Sequence, residues 1–62
     1  MSRHWNSVVV DYVEYDFWFD SILHGFIVTR ESEDGCTNEI VLEVQDYSYR
    51  NAKAALFELL NA

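Results

Sequence analysis

Short runs of β-branched and aromatic residues, broken by acids and turn residues, fill most of this 62-residue chain, and apolar residues fall at a 3.6 spacing towards its C-terminal end. Residues 7–15 predict a first strand, because Val8, Val9, Val10, Val13 and the tyrosines favour an extended, pleated backbone. Its alternation is imperfect. Val8, Val10 and Tyr12 share one face with Glu14, and Val9, Val13 and Tyr15 share the other with Asp11, so some cover is expected on each side. Residues 16–25 support two readings. Phe17, Trp18 and Phe19 can continue the strand to a turn near Asp20, or Asp16 can cap a short helix over 17–24 that ends at Gly25. The density of aromatic and β-branched residues favours the strand. Residues 26–32 and 38–45 predict two further strands joined by a hairpin at Asp34-Gly35. A three-residue loop with Gly35 in the left-handed conformation pairs Phe26 with Val44 and Val28 with Leu42, apolar against apolar, whereas a tight two-residue loop shifts the register and flips the partners. From Asp46 or Ser48, either of which can accept from unpaired backbone N–H groups, a helix runs towards the C-terminus. Ala52, Ala55, Leu56 and Leu59 form its core face, widened by Phe57 and Leu60, while Arg50, Lys53 and Glu58 mark the wet side. The pattern gives a single α+β domain over residues 1–62: a small antiparallel sheet of about three strands with a C-terminal helix packed on one face.

Composition limits what such a body can contain. Half of the residues are hydrophobic and 16% are aromatic, unlike a disordered chain. A chain of this size buries only about 60% of the surface it exposes when unfolded. Each large aromatic buries roughly 150–250 Å², so a few of them fill one core and leave no room for a deep pocket. Trp18 is expected in that core, with Trp5 open to either role. The lone cysteine, Cys36, excludes an intrachain disulfide and favours a reducing compartment. The apolar run Val8-Val9-Val10 stops at Asp11, too short for a signal peptide or a membrane span.

Charge narrows the function further. The formal net charge is −7, and of the acids only Glu58 lies outside the tract from Asp11 to Asp46. Arg30 is the one base inside that tract; Arg3 precedes it, and Arg50 and Lys53 come after it. Such a field repels nucleic acid and anionic membranes, which argues against direct binding to either, and attracts basic protein surfaces.

The usual catalytic and metal-binding patterns are absent. His4, His24 and Cys36 have no zinc-site spacing. The stretch around Gly35 fails as a calcium loop, since counting Gly35 as its sixth position puts Arg30 first and Val41 twelfth, where carboxylates are required. Cys36 follows Glu33 and Asp34, which disfavour the thiolate a nucleophile needs. No cofactor, metal site or catalytic residue is expected, and an enzyme is the least favoured class.

The acids remain. Asp11, Glu14, Asp16, Asp20, Glu31, Glu33, Asp34 and Glu39 are the candidate partner-binding residues, carried on predicted strands and the hairpin turn. Glu14 with Asp16, and Glu31 with Glu33, are spaced i, i+2. On a strand that puts two carboxylates on one face about 6.6 Å apart, where they repel. A chain that keeps such repulsion has a use for it, and imitation of a phosphate ladder is one, with Trp5, Trp18 and Tyr15 as aromatic anchors beside the charges.

In size, acidity and lack of disulfides the whole chain resembles phage-encoded inhibitors of host defence, the anti-CRISPR proteins and other DNA mimics. That resemblance is one of class and brings no shared motif. It implies a non-enzymatic inhibitor in the host cytoplasm that binds a CRISPR surveillance complex or another nucleic-acid-binding host protein and blocks DNA access. The alternative is a small regulatory interaction module that binds through a sheet edge or an aromatic patch, its charge serving solubility. A paired sheet edge would make it a dimer; otherwise it is a monomer.

Overall fold

The computed structural model describes residues 2–62 and shows four strands and one helix: β1 Ser2–Val10, β2 Val13–Asp20, β3 Gly25–Glu31, β4 Asn38–Val44 and α1 Tyr49–Leu60. The strands form an antiparallel meander in the order β1-β2-β3-β4. The α+β reading therefore holds, with four strands where the sequence predicts about three.

The additional strand comes from the segment read as one strand over residues 7–15. A two-residue turn cuts it: Val10 pairs with Val13, and between them Asp11 and Tyr12 both take positive φ, 51° and 68°. This is the backbone of a tight hairpin turn, whose usual signature is Asn-Gly or Asp-Gly. With Tyr12 at the second position the signature is absent, and the β-rich flanks read straight through it.

Residues 16–25 take the strand form. β2 runs to Asp20, whose carboxylate accepts from the backbone N–H groups of Ile22 and Leu23, each at 2.9 Å. Gly25 is not a helix cap but the first residue of β3, wedged against β4: a Cβ there would stand 1.8 Å from the Val44 carbonyl oxygen.

In the β3–β4 hairpin the expected pairs Phe26–Val44 and Val28–Leu42 are both present. The loop is longer than three residues, spanning 32–37, with Gly35 at φ 73°. A bulge reconciles the two facts. Between Val28 and Thr29 the register shifts, so that Thr29 faces Ile40 and Glu31 faces Asn38, with Val41 as the extra residue.

Ser48 caps α1, its side chain accepting from Asn51 N–H at 3.3 Å. Asp46 braces the same turn, accepting from Ser48 N–H at 2.8 Å and Asn51 Nδ2 at 2.7 Å. The helix buries Ala52 and Leu56 against Tyr15, Phe17, Phe26 and Val28. Tyr49 and Leu60 extend this contact, so the inward row runs 49, 52, 56, 60. Leu59, expected on the core face, lies on the flank of that row and is 44% exposed. Tyr15, expected as an exposed anchor, is buried in the core.

Candidate interface on the open face of the sheet

Strand alternation and register sort the side chains into two faces. Tyr15, Phe17 and Phe19 on β2 and Phe26 and Val28 on β3 point to the helix. Their neighbours in sequence point away, onto a face that α1 does not cover. Two cross-strand rows lie at its centre. One reads Ser7, Asp16, Thr29, Ile40, and the other His4, Trp18, Ile27, Glu43. Val9 and Glu14 flank them at one end, and Ser2 and Asp20 at the other.

Trp18, expected in the core, belongs to this open face. It is half-buried there, because its indole N–H donates to Thr29 Oγ1 at 2.9 Å and the His4 ring packs edge-on at 5.1 Å. Ile27 is half-buried beside it, while Val9 and Ile40 are 65% and 60% exposed. A shallow groove of about 260 Å³ runs between Trp18, Ile27, Thr29, Asn38 and Ile40. A second hollow of about 370 Å³ lies at the tip end of the same face and is lined by Glu14, Asp16 and Glu31, with Tyr12 at its rim. The two hollows share Asn38.

The acids named from sequence fall into three groups. Glu14, Asp16, Asp20 and Glu31 lie on the open face, together with Glu43, which the sequence pattern did not place in the candidate interface. Asp11, Glu33 and Asp34 sit in turns at the ends of strands. Glu39 lies on the helix side, paired with Arg30 at 3.5 Å. The i, i+2 argument holds for Glu14 and Asp16, both in β2. It does not hold for Glu31 and Glu33, because β3 ends at Glu31 and Glu33 is in the loop.

Several of these carboxylates already serve the fold. The Leu23 N–H, then that of Ile22, holds the Asp20 carboxyl below the ordinary range. Asp34 is lowered by the Ser32 hydroxyl first and by the Cys36 N–H at 3.0 Å second. Asp46 is lowered by the Asn51 amide and the Ser48 N–H. Asp16 accepts from Ser7 Oγ at 2.8 Å. For Glu14, Glu31 and Glu43 the structure gives no hydrogen bond or ion pair within the described residues.

The bases segregate to the opposite side. Arg30 faces Tyr15 and Glu39, and its guanidinium is held more firmly charged by the Tyr15 hydroxyl first and by Glu39 second. Arg3 pairs across to Phe19, and Arg50 and Lys53 ride on α1. Among the described residues, no Lys or Arg lies on the open face.

His4, Ser7 and Asp16 meet there, and their chemistry needs a decision. Ser7 Oγ donates to Asp16 Oδ1, and His4 Nε2 lies 3.3 Å from that same oxygen and 3.3 Å from Ser7 Oγ. A nucleophilic relay requires serine to donate to one imidazole nitrogen while the carboxylate holds the other. Here serine and aspartate both approach the same imidazole nitrogen, and the serine donates to the carboxylate, a geometry that differs from that relay. Among the described residues, no group of three His, Cys, Asp or Glu is placed to hold a metal ion, and no helix is long and apolar enough to cross a membrane.

A further hollow of about 490 Å³ lies at the β1 edge on the helix side, lined by Ser2, Arg3, Trp5, Phe19 and Ser21. Trp5 sits at the β1 bulge, 57% exposed, with its ring edge-on to Phe26 at 5.9 Å. Compared with protein-family models, curated proteins and solved structures, the chain has no significant match in any of the three.

Sequence reasoning missed His4, Ser7, Val9, Ile27, Ile40 and Glu43 as members of one surface. Period-two parity would have grouped them, but only with the Trp5 bulge, the Asp11-Tyr12 turn and the Val41 bulge known, since each shifts the strand parity beyond it.

Proposed function

We propose that this protein is a non-enzymatic acidic inhibitor that masks a basic, nucleic-acid-binding surface of a host protein or complex, such as a CRISPR surveillance complex, and so blocks DNA access. The main support is the division of charge. Among the described residues, the open sheet face carries Glu14, Asp16, Asp20, Glu31 and Glu43 and no Lys or Arg, while the bases all lie on the helix side. A face rich in carboxylates, held by a hydrogen-bonded sheet, steers a basic groove towards it and excludes a duplex by occupation. Glu14, Glu31 and Glu43 have no partner within the described residues, which is the arrangement expected when the partner is another molecule.

The experiment is affinity capture with the tagged protein from host lysate, followed by challenge with duplex DNA. Captured proteins should bind DNA themselves and be released by it. Capture that DNA does not reverse would sink the mimic reading. A regulatory module binding through an aromatic patch is the second reading, favoured by the exposed Trp5 beside the β1-edge hollow. Under it, Trp5→Ala would abolish capture and the acids of the open face would be dispensable.

A further inference from the structure

The open face is a poor copy of DNA if charge is all it offers. The molecule is 30 Å in its longest dimension. Over about 30 Å a duplex presents roughly 18 phosphate charges, at one per about 1.7 Å. The open face presents Glu14, Asp16, Asp20, Glu31 and Glu43, and Asp16 and Asp20 among them are already engaged in hydrogen bonds. Counterion release scales with the charges neutralised, and this face offers under a third of the charges that the duplex presents over the same length. Its centre is also not polar. Trp18 and Ile27 are half-buried, Ile40 and Val9 are largely exposed, and Trp18, Ile27 and Ile40 line a continuous groove.

We infer that this face docks a protein surface whose centre is apolar and whose rim carries Lys and Arg, with the groove of Trp18, Ile27 and Ile40 holding the complex together and the carboxylates directing it. The inference rests on the inhibitor reading and specifies its partner. Charge complementarity selects this occupant. Nucleic acid and anionic lipid are repelled by the rim. A second copy placed face to face would set one acidic face against another. A purely basic groove would leave Ile40 and Val9 against charged side chains, which forfeits their burial and desolvates the charges. An apolar centre ringed by bases satisfies both parts. Interfaces of this anatomy divide the work: rim charges set the association rate and the desolvated centre sets the dissociation rate.

Two peptides of equal length and charge serve as probes, one an amphipathic Lys/Leu helix and the other with every Leu replaced by Ser. The full chain is titrated with each, followed by Trp fluorescence and by amide chemical shifts. The Lys/Leu peptide should bind at least tenfold more tightly, with shifts confined to Trp18, Ile27, Ile40 and their strand neighbours. The double variant Val9→Thr, Ile40→Thr keeps β-branched residues at two exposed positions, so the fold survives, and it should remove most of that tenfold difference. Leu59→Ala, on the exposed flank of the helix, should leave it intact. Equal affinity for the two peptides overturns the inference. So do shifts that map to α1, a concentration-dependent doubling of mass with shifts on the open face, or binding to duplex DNA or anionic vesicles. Equal peptide affinities together with DNA-reversible capture would remove this inference and leave the mimic reading standing. A peptide preference with capture that DNA does not reverse would do the opposite.

Discussion

Gly25 and Tyr12 occupy opposite extremes of backbone constraint. At Gly25 the missing Cβ is what lets β3 lie against β4: the nearest atoms a methyl would meet are the Val44 carbonyl oxygen at 1.8 Å and Asp46 N at 2.6 Å, both backbone. Neither can swing aside as a side chain would. Gly25→Ala is expected to cost about 3 kcal/mol or more, read as a fall in the urea midpoint or as outright unfolding. Tyr12 is the reverse case. It holds φ 68° with its side chain fully exposed, so the fold gains no packing from it. The left-handed conformation costs a non-glycine residue roughly 1–2 kcal/mol, and glycine loses about 0.5–1 kcal/mol through its freer unfolded chain. Tyr12→Gly should therefore stabilise by about 0.5–1 kcal/mol, measured by the same denaturation. A drop in stability would mean that Tyr12 packs against the hollow it borders. Asp20, Asp34 and Asp46 have folded-state pKa values below the ordinary range, because each carboxylate accepts hydrogen bonds that favour its charged form. A depressed carboxyl contributes stability above its unfolded value and loses it as pH falls through the folded one. Urea midpoints should hold steady above about pH 5 and decline below about pH 4. The triple Asn variant should flatten that decline while lowering stability at neutral pH.

At the level of elements, the hairpin and the helix differ in how much local chemistry specifies them. α1 carries its own start signal, with Ser48 accepting from Asn51 N–H and Asp46 bracing the turn. Ser48→Ala is expected to cost about 1 kcal/mol, seen as lost helical circular dichroism on mild heating. The sheet depends on its core instead. Phe17 is fully buried and meets Tyr49 edge-on at 5.1 Å. Phe17→Ala should cost about 3–5 kcal/mol. A 62-residue chain has only roughly 3–9 kcal/mol to lose, so this variant should be largely unfolded. Much of this was legible in the sequence. The β3 and β4 strands, two of their pairings, the N-cap of α1 and the buried pair Ala52 and Leu56 all stem from periodicity and cap chemistry. What was not legible came from backbone devices without a sequence signature. The Asp11-Tyr12 turn lacks glycine, so a hairpin reads as one strand. The bulge at Val41 is set by the fit of β4 against β3, and propensity does not report it. Leu59 falls off the expected core face because the direction in which a helix docks depends on the surface beneath it, here the rings of Phe17 and Phe26.

For the whole molecule, the question is how charge is distributed in space. Reversing the unpartnered acids of the open face, Glu14→Lys with Glu31→Lys, should weaken partner binding at least about tenfold, mainly through the association rate, and flatten its salt dependence. Reversing Glu33 and Asp34 in the loop should do much less, since they lie off that face. Equal effects from both pairs would mean that net charge matters and placement does not. The amino-acid order alone sets the acidic balance, the β-rich body, the C-terminal helix and the absence of a motif with metal or nucleophile spacing, because each of these depends on residue type and local spacing. It did not determine which acids share a surface. That depended on a turn and two bulges that each shift strand parity, and on the helix covering one face of the sheet. Only the assembled sheet put Glu14, Asp16 and Glu31 around one hollow, Trp18, Ile27 and Ile40 along one groove, and the four Lys and Arg residues on the other side.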